Sequence, residues 1–180
     1  MSDHIVFLGN SLTHGGDWAR LLGLSSISNH GVPGETTRDI LRRLHIVKQE
    51  PMDRLFFMAG INDLSQRMAP DEIVANTREI VREIHSSHLE ASIYVQSVLP
   101  VNHDMFPWAP SAALILATNS GLREMHLPEQ GIHFVNVHDA FLDERHEMKA
   151  EFTDDGVHLT PAGYEHWAGE IRRIWLMVNG

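Results

Sequence analysis

Residues 54–98, RLFFMAGINDLSQRMAPDEIVANTREIVREIHSSHLEASIYVQSV, decide the fold of this chain. The two ends, RLFFMAG (54–60) and SIYVQSV (92–98), are short, apolar and not alternating, as strands buried on both faces are. Between them, DEIVANTREIVREIH (71–85) places its apolar residues on one helical stripe. A strand, a helix and a strand in this order form a βαβ unit, which predicts a parallel sheet.

The same alternation continues on both sides of this unit. Three further strands are predicted at HIVFLG (4–9), around Ile27 in SSISNHG, and at IHFVNV (132–137). Thr36 with Asp39 forms a capping pattern before one helix, and Thr160-Pro161 is typical of the start of the last helix. The sequence therefore predicts a single α/β domain over residues 1–180, a three-layer α/β/α sandwich around a five-stranded parallel sheet.

Composition excludes several classes of function. The 180 residues carry a formal net charge of −10, which disfavours a nucleic-acid partner because phosphate binding needs a basic surface. There is no cysteine, so disulfides and thiolate sites are excluded. No apolar run approaches the roughly 18 residues of a membrane span. The N-terminus, MSDHIVFLG, has no basic n-region before its first strand, so a cytoplasmic protein is expected.

Polar and small residues gather where the predicted strands end. Ser11 follows the first strand, Gly34 the second and Asn62 the third, while Asp155 and His158 precede the last helix. The carboxyl ends of parallel strands meet at one edge of such a sheet, and ligands bind there. These residues are therefore expected to form one site.

Acyl transfer by a serine needs this set of groups. A hydroxyl needs a neighbouring base, the base needs an orienting acceptor, and the oxyanion needs donors. We assign Ser11 as nucleophile, His158 as base and then acid, and Asp155 as its orienter, with Asp155 and His158 side by side on one helical turn. The oxyanion donors are expected to be the Ser11 and Gly34 backbone amides and the Asn62 side chain.

Each of these residues, taken alone, has a plainer interpretation. Ser11 is more often a turn or N-cap residue, and Gly34 and Asn62 are typical of turns. The coincidence of four such segments in order at one sheet edge favours catalysis. A phosphate loop, a GxGxxG motif and a GxSxG elbow are missing. His85 and His88 share a helix face but lack a HExxH pattern and a third ligand, so neither a metal nor another cofactor is expected.

The motifs resemble those of SGNH hydrolases of the GDSL esterase superfamily, whose pattern is Ser, Gly, Asn and His in four blocks. The matching stretches are GNSLT (9–13), GVPGETT (31–37), GIND (60–63) and DDGVHLTPAGY (154–164). The resemblance implies a flavodoxin-like sandwich and places the same roles on Ser11, Gly34, Asn62, Asp155 and His158. Asn10 stands where the GDSL pattern has aspartate, which removes a charge but retains a carbonyl acceptor.

NHGVPGETTRDILRRL (29–44) is similar to the catalytic subunits of platelet-activating-factor acetylhydrolases and to related bacterial carbohydrate O-acetylesterases. We therefore expect a serine esterase that removes a short acyl group, most plausibly acetyl, from a small-molecule ester, with a carbohydrate ester preferred. A phospholipid-directed acetylhydrolase or lysophospholipase and an acyl-thioesterase are the alternatives with the same triad. A catalytically silent domain that binds a carbohydrate or a protein is the alternative outside enzymes.

Two further segments are left with open interpretations. LPVNHDMFPWAPS (99–111) follows the fourth strand and should overhang the site. Phe106 and Trp108 are expected either to form a substrate-facing wall, with Asn102 as a polar contact, or only to pack the loop down. Trp175, Leu176 and Met177 cannot all share one buried helix face, which leaves a homodimer surface open.

Overall fold

A computed structural model describes residues 3–179 of the protein, with side chains as far as residue 174. Trp175, Leu176 and Met177, the candidate homodimer surface, lie outside the described side chains. Within residues 3–179, no helix is both long enough and apolar enough to cross a membrane.

Five strands and seven α-helices make up the described chain, together with three short 3₁₀ turns. The strands are β1 (Ile5–Gly9), β2 (Ile27–Gly31), β3 (Arg54–Met58), β4 (Ser92–Gln96) and β5 (Ile132–Val135). The helices are α1 (Ser11–His14), α2 (Trp18–Leu22), α3 (Thr37–Val47), α4 (Ile61–Ser65), α5 (Pro70–Ser87), α6 (Ala112–Arg123) and α7 (Pro161–Asn179).

The strands form one parallel sheet in the order β2-β1-β3-β4-β5. This confirms the predicted α/β fold. Successive residues of each strand point to opposite faces, so every strand feeds two cores. Val6 and Leu8 of β1 pack on the side of α3, α5 and α6, whereas Ile5 and Phe7 pack on the side of α2 and α7. The result is three layers with helices on both faces.

Two helices, α3 and α7, begin where the sequence predicted. Thr36 and Asp39 form a reciprocal capping box at the start of α3, as predicted. Pro161 is the first residue of α7, where its missing N–H costs no hydrogen bond. The capping box fixes the end of the β2–α3 connection, which is the segment that contains Gly34.

Candidate active site

Ser11 lies at the turn from the central strand β1 into the short helix α1. Asn10 caps this helix, because its Oδ1 accepts a hydrogen bond from the Leu12 N–H at 3.1 Å. The turn is tight at Gly9, where a Cβ would come within 2.3 Å of the Met58 carbonyl oxygen. The strand-to-helix turn thus presents the Ser11 hydroxyl at the carboxyl edge of the sheet.

Ser11, His158 and Asp155 form a continuous chain of hydrogen bonds. Ser11 Oγ lies 3.1 Å from His158 Nε2, and His158 Nδ1 lies 2.7 Å from Asp155 Oδ2. The Asp155 carboxylate accepts a hydrogen bond from the Nδ1–H of His158. A neutral ring therefore carries its lone pair on Nε2, facing the Ser11 hydroxyl. The side chains of Asp155 and His158 are each 55% exposed, so the site opens to solvent.

The expectation that Asp155 and His158 share a helical turn was wrong. They lie in a loop, where Asp155 Oδ1 accepts the backbone N–H groups of Val157 at 2.9 Å and His158 at 2.7 Å. A side-chain acceptor here replaces the backbone carbonyl that a helix would use, and Gly156, with φ +92°, has a conformation that a helix does not allow.

These bonds also set the charge of Asp155. Burial alone would raise the pKa of this carboxyl group. The hydrogen bonds from the His158 ring and from the backbone N–H groups of His158 and Val157 outweigh it and hold the pKa at about 2. Asp155 is therefore ionised throughout the neutral range, as the orienter of an imidazole must be.

Gly34 occupies the third position of a tight turn, Val32–Glu35. The Glu35 N–H donates to the Val32 carbonyl at 3.3 Å, Pro33 takes the second position, and Gly34 has φ +80°. This is the sequence and geometry of a type II turn. Within residues 3–179, neither the Gly34 N–H nor the Ser11 N–H has a hydrogen-bond acceptor. Both are free to bind an oxyanion.

Asn62 is fixed beside this turn by its own side chain. It lies in the first turn of α4, and its Nδ2 donates to the Glu35 carbonyl at 2.9 Å. An amide nitrogen carries two hydrogens, so one N–H remains for a ligand. The structure thereby brings Asn62 next to the Gly34 turn, as a third donor would require.

Asp63 and Arg43 make contacts that the sequence did not indicate and that support the Val32–Glu35 turn. Asp63 is fully buried and accepts the Thr37 N–H at 2.9 Å and the Thr37 hydroxyl at 2.5 Å, which joins the start of α3 to α4. Burial raises the pKa of Asp63, against the lowering effect of the Thr37 bonds. Arg43 pairs with Glu35 at 2.6 Å and donates to the His30 carbonyl. No local pattern identifies these partners, because they are distant in sequence.

The segment after β4 lies against the loop of His158. A Cβ on Gly156 would lie 2.9 Å from Phe106 Cβ, and the Asn102 N–H donates to the Gly156 carbonyl at 2.9 Å. Asn102 itself is buried, and its side chain bonds the Met148 carbonyl and the Met105 N–H. Its amide is therefore buried in the protein, away from solvent, whereas Phe106 and Trp108 are 38% and 88% exposed.

Comparison with known proteins shows the family and the fold of the chain. Residues 7–166 match the model of the GDSL-like Lipase/Acylhydrolase family. No curated protein matches the chain. A solved structure named for a platelet activating factor from Streptococcus pneumonia is 26% identical, with a TM-score of 0.89 over 97% of this chain and 84% of that one.

Two further solved structures share the fold. A GDSL-like lipase from Bacteroides thetaiotaomicron is 24% identical, with a TM-score of 0.78 over 96% of this chain and 87% of that one. An acetylxylan esterase from Geobacillus stearothermophilus is 20% identical, with a TM-score of 0.77 over 96% of this chain and 93% of that one.

Proposed function

The chain belongs to the GDSL-like lipase/acylhydrolase family and is a carboxylic ester hydrolase, and we propose that it removes acetyl groups from a carbohydrate ester through an acyl-enzyme formed on Ser11. The observation that carries this proposal is the chain of hydrogen bonds from Ser11 Oγ to His158 Nε2 and from His158 Nδ1 to Asp155.

The reaction runs in two halves. His158 Nε2 takes the hydroxyl proton as Ser11 Oγ attacks the ester carbonyl carbon, and the carbonyl oxygen becomes an oxyanion held by the Ser11 and Gly34 N–H groups and the Asn62 amide. The intermediate collapses, the carbon–oxygen bond to the alcohol breaks, and the imidazolium gives its proton to that alcohol. Water then attacks the acyl-enzyme with His158 again as base, which releases the acid and restores Ser11.

The shape of the site supports a small acyl group. Gly34 and His158 are exposed, so the groups around the reacting carbon leave it open to solvent. An open site encloses little of a long acyl chain, and burial of each CH₂ group is what would favour one. A short acyl group needs no such enclosure.

A carbohydrate leaving group is supported by the exposed aromatic wall, Phe106 and Trp108. Aromatic faces pack against the apolar faces of sugar rings, and Trp108, two residues from the Phe106 that lies against Gly156, is 88% exposed. The acetylxylan esterase with the same fold acts on an acetylated polysaccharide, which is consistent with this choice. The same apolar surface, extended by Met105, favours a lipid ester as the second candidate.

The nucleophile is tested with Ser11→Ala and p-nitrophenyl acetate. We expect kcat to fall by several orders of magnitude, by analogy with removal of other triad serines. Ser86→Ala, an exposed serine of α5, serves as the matched control and should retain wild-type kinetics. Equal rates for Ser11→Ala and wild type would reject Ser11 as nucleophile.

The substrate class is tested by released acid. Acetylated xylooligosaccharides, a phospholipid with an acetyl ester and an acyl-thioester are compared at equal concentration with wild type and Ser11→Ala. Fastest Ser11-dependent release from the oligosaccharide supports the proposal, and fastest release from either other substrate replaces it with that activity.

A further inference from the structure

The exposed excursion of residues 103–110 is held mainly by polar contacts. Its large apolar side chains Met105, Phe106 and Trp108 are 43%, 38% and 88% exposed, so apart from Ala109, which packs against the core, packing stabilises the excursion little. A cavity of ≈ 510 Å³ lies against its base, with His103 in the cavity wall. The position of the excursion therefore depends on the hydrogen bonds that close it.

His103 makes those bonds at both ends of the excursion. Its ring Nδ1 lies 3.0 and 2.9 Å from the two carboxylate oxygens of Glu147, and its backbone N–H donates to the same carboxylate at 2.8 Å. On the other side of the ring, Nε2 lies 3.2 Å from the Pro110 carbonyl oxygen. One imidazole thus joins residue 103, residue 110 and the loop that carries Glu147.

Both partners of the ring are acceptors. A neutral imidazole donates from only one nitrogen, and its other nitrogen would turn a lone pair towards an oxygen. The doubly protonated ring donates from both. The contacts to Glu147 and to the Pro110 carbonyl are therefore both hydrogen bonds at the same time only in the imidazolium form of His103.

We propose that His103, as an imidazolium, is a positioning residue that closes the 103–110 excursion and holds the aromatic wall beside the catalytic loop. The neighbouring Asn102 N–H bonds Gly156, and Phe106 lies against Gly156, so the base of the excursion and the loop of His158 are joined directly. The link to substrate binding rests on the proposed function. Deprotonation of His103 frees the excursion at Pro110, and KM for an ester that contacts the wall rises.

Other charged and titratable groups lie around His103. Glu147 is its direct partner, and Asp104 pairs with Arg145 at 2.7 Å on the exposed side. Across the cavity stand His146 and the pair His138–Asp139, 3.1 Å apart. His146 lines the same cavity without a hydrogen bond from its ring to any residue in the described part of the chain.

Three variants separate the charge of His103 from its mere presence. His103→Phe removes both donors. His103→Arg keeps a cation with several donors that does not lose its charge at accessible pH. His146→Asn is the matched control, because it removes another imidazole from the cavity wall and suits the φ of +62° at that position.

The readouts are hydrogen–deuterium exchange of residues 103–110, corrected for intrinsic rate, and KM and kcat for 1-naphthyl acetate, each at pH 5.5 and 8.5. In wild type and His146→Asn, exchange and KM should both be higher at pH 8.5, by about tenfold, the effect of one charge-assisted hydrogen bond. His103→Phe should show the high values at both pH values, and His103→Arg the low values at both.

Exchange that does not depend on pH in wild type, or a His146→Asn variant that loses the dependence, would overturn the role of His103. Changed exchange with unchanged KM would overturn its link to the substrate. Exchange is measured without substrate, so a negative Ser11→Ala test, which would reject the proposed function, cannot be mistaken for either result.

Discussion

Gly34→Ala separates the cost of a backbone conformation from the loss of a catalytic donor. Gly34 has φ +80°, and a Cβ built there meets no atom within 4 Å. The substitution therefore causes no steric clash, and its whole effect is conformational. An alanine in the left-handed region costs about 1–2 kcal/mol, of which about 0.4–1 kcal/mol is offset by the stiffer unfolded chain.

The expected change in the free energy of unfolding is therefore a loss of about 1 kcal/mol, or about 2–4 °C in Tm for a chain of this size. The expected effect on catalysis is far larger. The strain is relieved by rotating the peptide of residue 34, which moves its N–H away from the oxyanion. Loss of one such donor lowers kcat by about 10²–10³-fold.

Gly23 provides a matched control within the same chain. It has φ +71° at the end of α2, and a Cβ there also meets nothing within 4 Å. Gly23→Ala should lose the same stability in urea or thermal unfolding and keep wild-type kcat on p-nitrophenyl acetate. Wild-type kcat in folded Gly34→Ala, or an equal loss of kcat in Gly23→Ala, would refute the donor role of Gly34.

Three other predictions concern the same site. The pKa of Asp155 is about 2, whereas the ordinary value for aspartate is 3.8. The folding stability that the charge of Asp155 contributes is therefore lost only as the pH falls from 3.8 towards about 2. The difference in unfolding free energy in urea between wild type and Asp155→Asn should therefore be constant from about pH 5 to 8, and a difference that shrinks within that range would contradict the low pKa. Asn10→Ala should lose about 1 kcal/mol of unfolding free energy in urea with the helix cap, whereas Asn10→Ser retains an acceptor, and equal stability of the two would reject the cap. Trp108→Ala should change stability by less than about 0.5 kcal/mol and raise KM for aryl and sugar esters, and unchanged kinetics across an ester panel would remove Trp108 from the wall.

The fold was predictable because its strands are buried on both faces. β1, β3 and β4 each contain a run of three or four consecutive apolar residues, and the apolar stripe of α5 matches the face that packs on the sheet. β2 gave a weaker signal because it is an edge strand, and four of its five residues stay partly or fully exposed. Local composition reports burial, so it indicates a strand as exposed as β2 less clearly.

The structure brings together residues that the sequence singled out for the candidate site, but the sequence did not indicate their local geometry. Spacing alone allowed a helical turn for Asp155 and His158, and only the hydrogen bonds of Asp155 to its own loop show the alternative. Asp63 and Arg43 were missed because their partners are fixed by the tertiary structure. Asn102 was expected to be a polar contact because it lies in an overhanging loop, but nothing in its neighbours indicates the Met148 carbonyl that its side chain binds.

The bond between Ser11 and His158 joins residues 147 positions apart, and this has a consequence for synthesis. Ser11, the proposed nucleophile, is translated before four of the five strands, whereas His158, its proposed base, is translated only after all five. A nascent or prematurely terminated chain that ends before residue 158 carries this serine without the proposed base, and it is therefore expected not to hydrolyse esters. Hydrolysis by this protein is therefore a direct reporter of translation completed past that point and of the long-range closure that follows it.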